Sequence, residues 1–159
     1  MPAAYFMDTS ALLPRLLRGA PGFTWINQLF DPAQGNLIAI AEITEVEIVA
    51  ALRQLARGGT IKSKRIETAV ALFWDQVDHG QYITISVTST IARQAADLCG
   101  RHPLKGYDAV QLTCALAFRE DVRAVNVALA DPIFLSEDQR LSEAARAEGF
   151  SVDSPLAHP

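Results

Sequence analysis

Ala4-Tyr5-Phe6-Met7-Asp8-Thr9-Ser10-Ala11-Leu12 decides the fold. Four apolar residues run without alternation and stop at a carboxylate followed by two hydroxyls. A continuous apolar run that ends on capping residues predicts a strand buried on both faces and feeding a helix. Strands buried on both faces belong to parallel sheets covered by helices.

The rest of the chain repeats that alternation. Helices are expected over Ala11 to Arg18 and Phe23 to Phe30, separated by Pro21-Gly22. Asn36 to Ala41 reads as a second buried strand. Thr44 to Arg57 reads as a helix, because Ile48, Leu52 and Leu55 recur at i, i+4 and i+7. Ser63 to His79 is a further amphipathic helix, Tyr82 to Ser86 a third strand, and Thr88 to Cys99 a helix. Tyr107 to Phe118 is almost wholly apolar and is expected at the centre. Val122 to Leu129 and Ile133 to Ser136 read as strands joined by Ala130-Asp131-Pro132, so an antiparallel addition is expected near residues 122–136. Asp138 to Ala147 is the last helix, and Ser151-Val152 a final edge strand. The expectation is an α/β fold: a single domain over residues 1–152, with a mainly parallel central sheet flanked by helices. Residues 153–159 are expected to be a flexible tail.

Composition narrows the classes. A chain of 159 residues with 50% apolar and 20% charged residues suits one globular domain. The net charge of −4 excludes a globally basic nucleic-acid binder, but leaves room for a local basic rim or for an acidic site that recruits a cation. Cys99 and Cys114 form no CxxC pair and read as inert thiols of a reduced compartment. The start of the sequence lacks a basic segment before its short apolar run, and no apolar run reaches membrane length. A cytoplasmic protein with no membrane partner is expected.

In parallel sheets, sites lie beyond the carboxyl ends of the strands. Four carboxylates fall at such junctions: Asp8, Glu47, Asp108 and Asp138. Each has a structural explanation. Asp8 suits a helix cap, Thr44-x-x-Glu47 and Ser136-x-x-Gln139 suit capping boxes, and Asp108 and Asp138 suit first-turn acids that complement a helix dipole. Helix geometry argues for more at two of them. Asp108, Leu112 and Ala115 share a face, and Glu47 borders the stripe of Ile48. A carboxylate at the edge of a core needs hydrogen bonds or a cation. Carboxylates alone, without His or Cys, favour Mg²⁺ or Mn²⁺ over Zn²⁺.

The sequence resembles PIN-domain ribonucleases of the kind that serve as toxins in VapBC-type toxin–antitoxin pairs. The resemblance rests on Met7-Asp8-Thr9-Ser10-Ala11-Leu12, on Glu47 with Ala51-Leu52, and on Tyr107-Asp108-Ala109-Val110-Gln111-Leu112 with Ala115-Leu116. Phe134-Leu135-Ser136-Glu137-Asp138 with Leu141, Ala144-Ala145 and Gly149-Phe150 completes it. It implies a PIN-like domain that hydrolyses RNA with Mg²⁺ or Mn²⁺ held by Asp8, Glu47, Asp108 and Asp138, with Thr9 or Ser10 as the supporting hydroxyl. It also implies a cognate antitoxin protein. Glu42 and Glu45 crowd the second acid, and Asp131 and Glu137 crowd the fourth. Arg15, Arg53, Lys105 and Arg140, with Arg18, Arg57 and Arg101, are candidate RNA contacts. Trp25, Phe23, Leu29, Phe30, Phe73 and Trp74 suggest a surface for a homodimer or for the antitoxin. Two other readings stand beside this one. One is a PIN-like module that binds RNA or protein without cleaving. The other is a receiver-like phosphoryl-transfer domain, which lacks its paired acids and late lysine here.

Overall fold

The computed structural model describes residues 1–125 and 129–158. Strands β1 (Ala4–Met7), β2 (Leu37–Ala41), β3 (Ile83–Ile85), β4 (Ile133–Leu135) and β5 (Val152–Asp153) form one sheet in the order β3-β2-β1-β4-β5. Every strand pair is parallel. Seven helices are described: α1 (Thr9–Leu12), α2 (Phe23–Leu29), α3 (Ile43–Arg57), α4 (Ser63–Asp78), α5 (Ser89–Arg101), α6 (Gly106–Val125) and α7 (Gln139–Ala147).

Alternation across the pleat divides the apolar residues between two cores. Ala4 and Phe6 of β1, Ala39 and Ala41 of β2 and Phe134 of β4 face the core built with α5, α6 and α7. Met7, Ile38, Ile40 and Leu135 face the core built with α1, α2, α3 and α4. Both faces are covered, which is why the strands read as unbroken apolar runs. On the α6 side the sheet presents alanines at positions 4, 39 and 41, all at or below 2% exposure. Small side chains there let α6 lie close against β1 and β2, and Ala109, Leu112 and Ala115 fill the gap.

The chain moves outward from β1 to β2 and β3, then returns past β1 to β4 and β5. The direction of winding reverses between β1 and β4. A crevice opens at such a reversal, beyond the carboxyl ends of the two strands. Asp8 follows one of these ends and Ser136 the other.

Four expectations need correction. The run from Val122 is not a strand, because α6 continues to Val125. Phe118 and Val122, one helical turn apart, are both buried and carry the helical stripe onward. Residues 126–128 of the expected hairpin lie outside the described residues, and no antiparallel pair occurs among those described. The segment from Asp153 is not a free tail. It pairs with β4, its Ser154 and Leu156 bond to the Glu137 carboxylate, and His158 stacks on Trp25 at 4.1 Å. Thr44 caps nothing: α3 starts one residue earlier, and Thr44 sits fully buried in its first turn. The expected surface of aromatic residues is partly interior: Phe73 and Leu29 are buried, Phe23, Trp25 and Phe30 are half-buried, and Trp74 is exposed.

Candidate functional site

Asp8 is the N-cap of α1, and its Oδ1 accepts the Ala11 N–H at 2.9 Å. The expected capping role is therefore real. It does not exhaust the residue. Asp8 is 4% exposed, and Ser10 Oγ donates to it at 2.7 Å while Ser136 Oγ donates to its Oδ2 at 2.7 Å. The Asp8 N–H in turn donates to the Leu135 carbonyl at 3.1 Å, which extends the β1–β4 ladder to the site. Burial raises the Asp8 carboxyl to about 6, against the downward pull of the Ser136, Ala11 and Ser10 donors, and the Glu47 charge raises it further. A helix cap in water would show the opposite direction.

Glu47 reaches the same place from α3. Its Oε2 accepts from Thr9 Oγ1 at 2.7 Å and from Gln111 Nε2 at 2.6 Å. Gln111, 2% exposed in the apolar middle of α6, also donates to Thr44 Oγ1 at 2.9 Å. A buried amide among apolar neighbours is costly unless satisfied. Here it ties α3 to α6 and fixes the carboxylate.

Asp108 occupies the first turn of α6 and is half-buried. Burial raises its carboxyl above the usual range, and the charges of Asp138 and Glu47 raise it further, in that order. Lys105 and its backbone pull the other way. Asp138 is itself the exposed N-cap of α7, its Oδ1 accepting the Leu141 N–H at 2.8 Å, so Ser136 is not the cap and Asp138 is not a first-turn acid. Ser136 instead accepts the Asp138 N–H at 3.0 Å and donates to Asp8.

Two cavities meet at Asp108. One, of about 270 Å³, is lined by Asp8, Thr9, Ser10, Glu47, Asp108 and Gln111. The other, of about 390 Å³, is lined by Lys105, Asp108, Asp138, Gln139 and Arg140. The four acids thus line two adjoining cavities at the reversal of the sheet, with Asp108 in both. Among the described residues no three of them stand close enough together to enclose a single metal ion. Their chemistry still fits Mg²⁺ or Mn²⁺. They are hard carboxylate donors, and their mutual repulsion is what a divalent cation relieves.

The basic candidates divide. Lys105 and Arg140 stand in the second cavity beside Asp108 and Asp138. Arg53 is paired with Glu67 on the outer side of α3. Arg15 is 7% exposed and bonds to Tyr82 and Gln81, so it is not at the mouth of the acidic crevice. The decoy acids resolve as well. Glu42 accepts the Val87 N–H at the far side of β2, Asp131 pairs with Arg123, and Glu137 holds the C-terminal segment. Gln111 and Ser136 are the site residues that sequence reasoning passed over. A lone amide inside an apolar helix was the readable signal for the first. Ser136 carried a cap-like context that concealed its role.

No protein-family model matches the sequence, and no curated protein matches it either. The fold does have solved counterparts. A chain of the VapBC2 crystal structure from Rickettsia felis, determined bound to a DNA fragment from their promoter, superposes with a TM-score of 0.61 at 13% identity. The match covers 95% of this chain and 98% of that one. PAE2754 from Pyrobaculum aerophilum gives 0.57 at 14% identity, over 98% of this chain and 85% of its own. A chain of a toxin–antitoxin complex from Klebsiella pneumoniae gives 0.56 at 18% identity, over 95% and 97%. The fold is that of a single PIN-like domain, spanning the chain. Among the described residues no helix is long and apolar enough to cross a membrane.

Proposed function

We propose that the protein is a metal-dependent ribonuclease that hydrolyses RNA phosphodiester bonds, and that it serves as the toxin of a toxin–antitoxin pair. The observation that carries this reading is the meeting of four carboxylates, from four separate stretches of chain, at the reversal of the sheet. Asp8, Glu47 and Asp108 share one cavity there, and Asp138 acts on Asp108 from the next. One of the solved structures of similar fold is, by its description, a toxin–antitoxin complex, and another is a VapBC2 assembly. That supports the toxin role and a cognate antitoxin partner. A homodimer belongs to the same reading.

Asp8, Glu47, Asp108 and Asp138 would hold Mg²⁺ or Mn²⁺, which when bound supplies a Lewis acid and an activated water at neutral pH. The chain's own contribution is position and field. Ser10, Ser136 and the Ala11 N–H fix the Asp8 carboxylate, and Thr9 and Gln111 fix Glu47. Lys105 and Arg140 would draw the RNA phosphate toward the acids, offsetting the negative charge of the protein as a whole.

The test is cleavage of RNA by purified protein with Mn²⁺ and with EDTA, for the wild type, Asp8→Asn and Asp108→Asn. Each substitution is expected to reduce cleavage about a hundredfold or more while circular dichroism stays unchanged, the loss of several kcal/mol of metal-centred stabilisation. Full cleavage by either folded variant, or by the wild type in EDTA, refutes the assignment. Binding of RNA without cleavage selects the non-catalytic reading.

A further inference from the structure

Arg15 lies seven positions along the chain from Asp8, at the opposite end of the sheet from the acids. Its surroundings are those of a charge without a counter-ion. The residue is 7% exposed. Its Nη1 donates to Tyr82 Oη and its Nη2 to Gln81 Oε1, both at 2.6 Å, and the guanidinium lies 3.5 Å above the centre of the Phe30 ring. The Tyr82 hydroxyl in turn donates to Gln76 Oε1, and burial pushes it up to about 12, so it stays neutral. Among the described residues no carboxylate pairs with Arg15, and its buried Nε–H has no acceptor. A guanidinium has five N–H donors, and this one uses two of them.

Taking an unpaired charge out of water is costly, and a folded protein normally supplies a partner. Beside Arg15 there is space for one. A cavity of about 500 Å³ is lined by Arg15, Gln81, Phe30, Asn27, Leu29 and Ile38 among others. Ile38 is the second residue of β2, and Gln81 stands two residues before β3, so this cavity lies at the amino ends of the strands. It is separate from the crevice at the carboxyl ends. Its amides are largely committed: Asn27 donates to the Phe23 carbonyl, and Asn36, on the rim, donates to the Leu29 carbonyl. Charge recognition there falls to Arg15. One acid, Asp31, stands exposed on the rim with its Oδ1 on the Ala33 N–H.

We propose that this cavity is a binding site for a small oxyanion, a phosphate or carboxylate group, held by Arg15. The planar fork of the guanidinium matches such groups, and stacking on Phe30 fixes its plane. The apolar wall of Leu29, Phe30 and Ile38 leaves room for a ligand body larger than the anionic group itself. The site is independent of the ribonuclease reading.

Thermal unfolding of the full chain in EDTA tests it, with inorganic phosphate, acetate or AMP added against sodium chloride of equal ionic strength. At least one of the three is expected to raise Tm by about 5 °C or more near saturation. A response to phosphate and AMP assigns the phosphate group, and a response to acetate alone the carboxylate. Asp31→Asn keeps a capping side chain and removes the rim charge, so it is expected to lower the apparent Kd of the effective anion several-fold. Arg15→Met is expected to abolish the response. Should Arg15→Met not fold, the wild type and Asp31→Asn decide alone. No shift with any of the three anions in the wild type overturns the proposal, as does an undiminished shift in folded Arg15→Met.

Discussion

Replacing Asp8 by Asn should change stability in a way that depends on pH, and the direction follows from burial. In the folded protein the Asp8 carboxyl is held at about 6, against an ordinary value of 3.8. In strong acid the carboxyl is protonated both folded and unfolded, so Asp8 carries no charge penalty. As pH rises from about 4 to 6 the unfolded chain releases this proton while the folded chain retains it. Folding then becomes progressively less favourable, and above about 6 the whole penalty is present. Between pH 4 and pH 7.5 the linkage amounts to about 2.5 kcal/mol. Asn has no charge at either pH and keeps the capping oxygen for the Ala11 N–H. The advantage of Asp8→Asn over the wild type should therefore grow by about 2.5 kcal/mol from pH 4 to pH 7.5, or about 5–10 °C in Tm for a domain of this size. The assay is thermal or urea unfolding of both proteins in EDTA at the two pH values. Groups that titrate equally in both proteins cancel in the difference. A difference that stays flat with pH to within about 0.5 kcal/mol would refute the reasoning, because Asp8 would then be an ordinary solvated cap.

Three further outcomes are expected. Mn²⁺ at 100 times its Kd should stabilise the wild type at pH 7.5 by about 2.7 kcal/mol and Asp8→Asn by clearly less, read from melting curves; equal shifts would remove the case for a metal site. Gln111→Ala should cost about 1–3 kcal/mol in urea unfolding, because the buried Thr44 hydroxyl and the Glu47 carboxylate both lose their amide donor; a neutral result would mean the network adds nothing. Gly22→Ala should destabilise by about 1–3 kcal/mol, since φ is +79° there and a Cβ would lie 2.6 Å from the Pro155 side chain, and an unchanged Tm would show that the C-terminal segment moves aside without cost.

Much of this architecture could be read from local pattern. Residues 4–12 predicted both the buried strand and the acid at its end, because a strand covered on both faces leaves an unbroken apolar run. Where reading failed, two local signals competed and the structure chose through distant partners. Val122 and Val125 are β-branched and suggested a strand, yet Phe118 and Val122 continue the buried stripe of α6. Thr44 was read as a cap because hydroxyls so often are. Its actual partner is Gln111, 67 positions away. Ser136 likewise meets Asp8 across 128 positions, and no periodicity reports a contact of that span. The four acids were visible because each lies at or near the start of a helix. The residues that hold them were not, since each is defined by an element elsewhere in the sequence. Arg15 illustrates the same limit: its position after the first motif placed it near the acids in sequence, while α1 and the turn after it carry it to the other end of the sheet.

The strand order also sets when the site can exist during synthesis. β1 is made first but needs neighbours on both sides, and β4 arrives only at residue 133. Until then β1 can pair with β2 alone and presents an open edge on its other side, a hazard for mispairing in a partly made chain. Contacts of such long sequence separation also form late, because chain entropy must be overcome before they are rewarded. A ribosome-bound chain lacking β4 has Asp8 without Ser136, and Ser10 without the Glu137 N–H. The crevice is therefore completed only when the segment from β4 onward docks. On the proposed ribonuclease reading, a chain assembled in this order would acquire its RNA-cleaving site only once nearly its whole length has emerged.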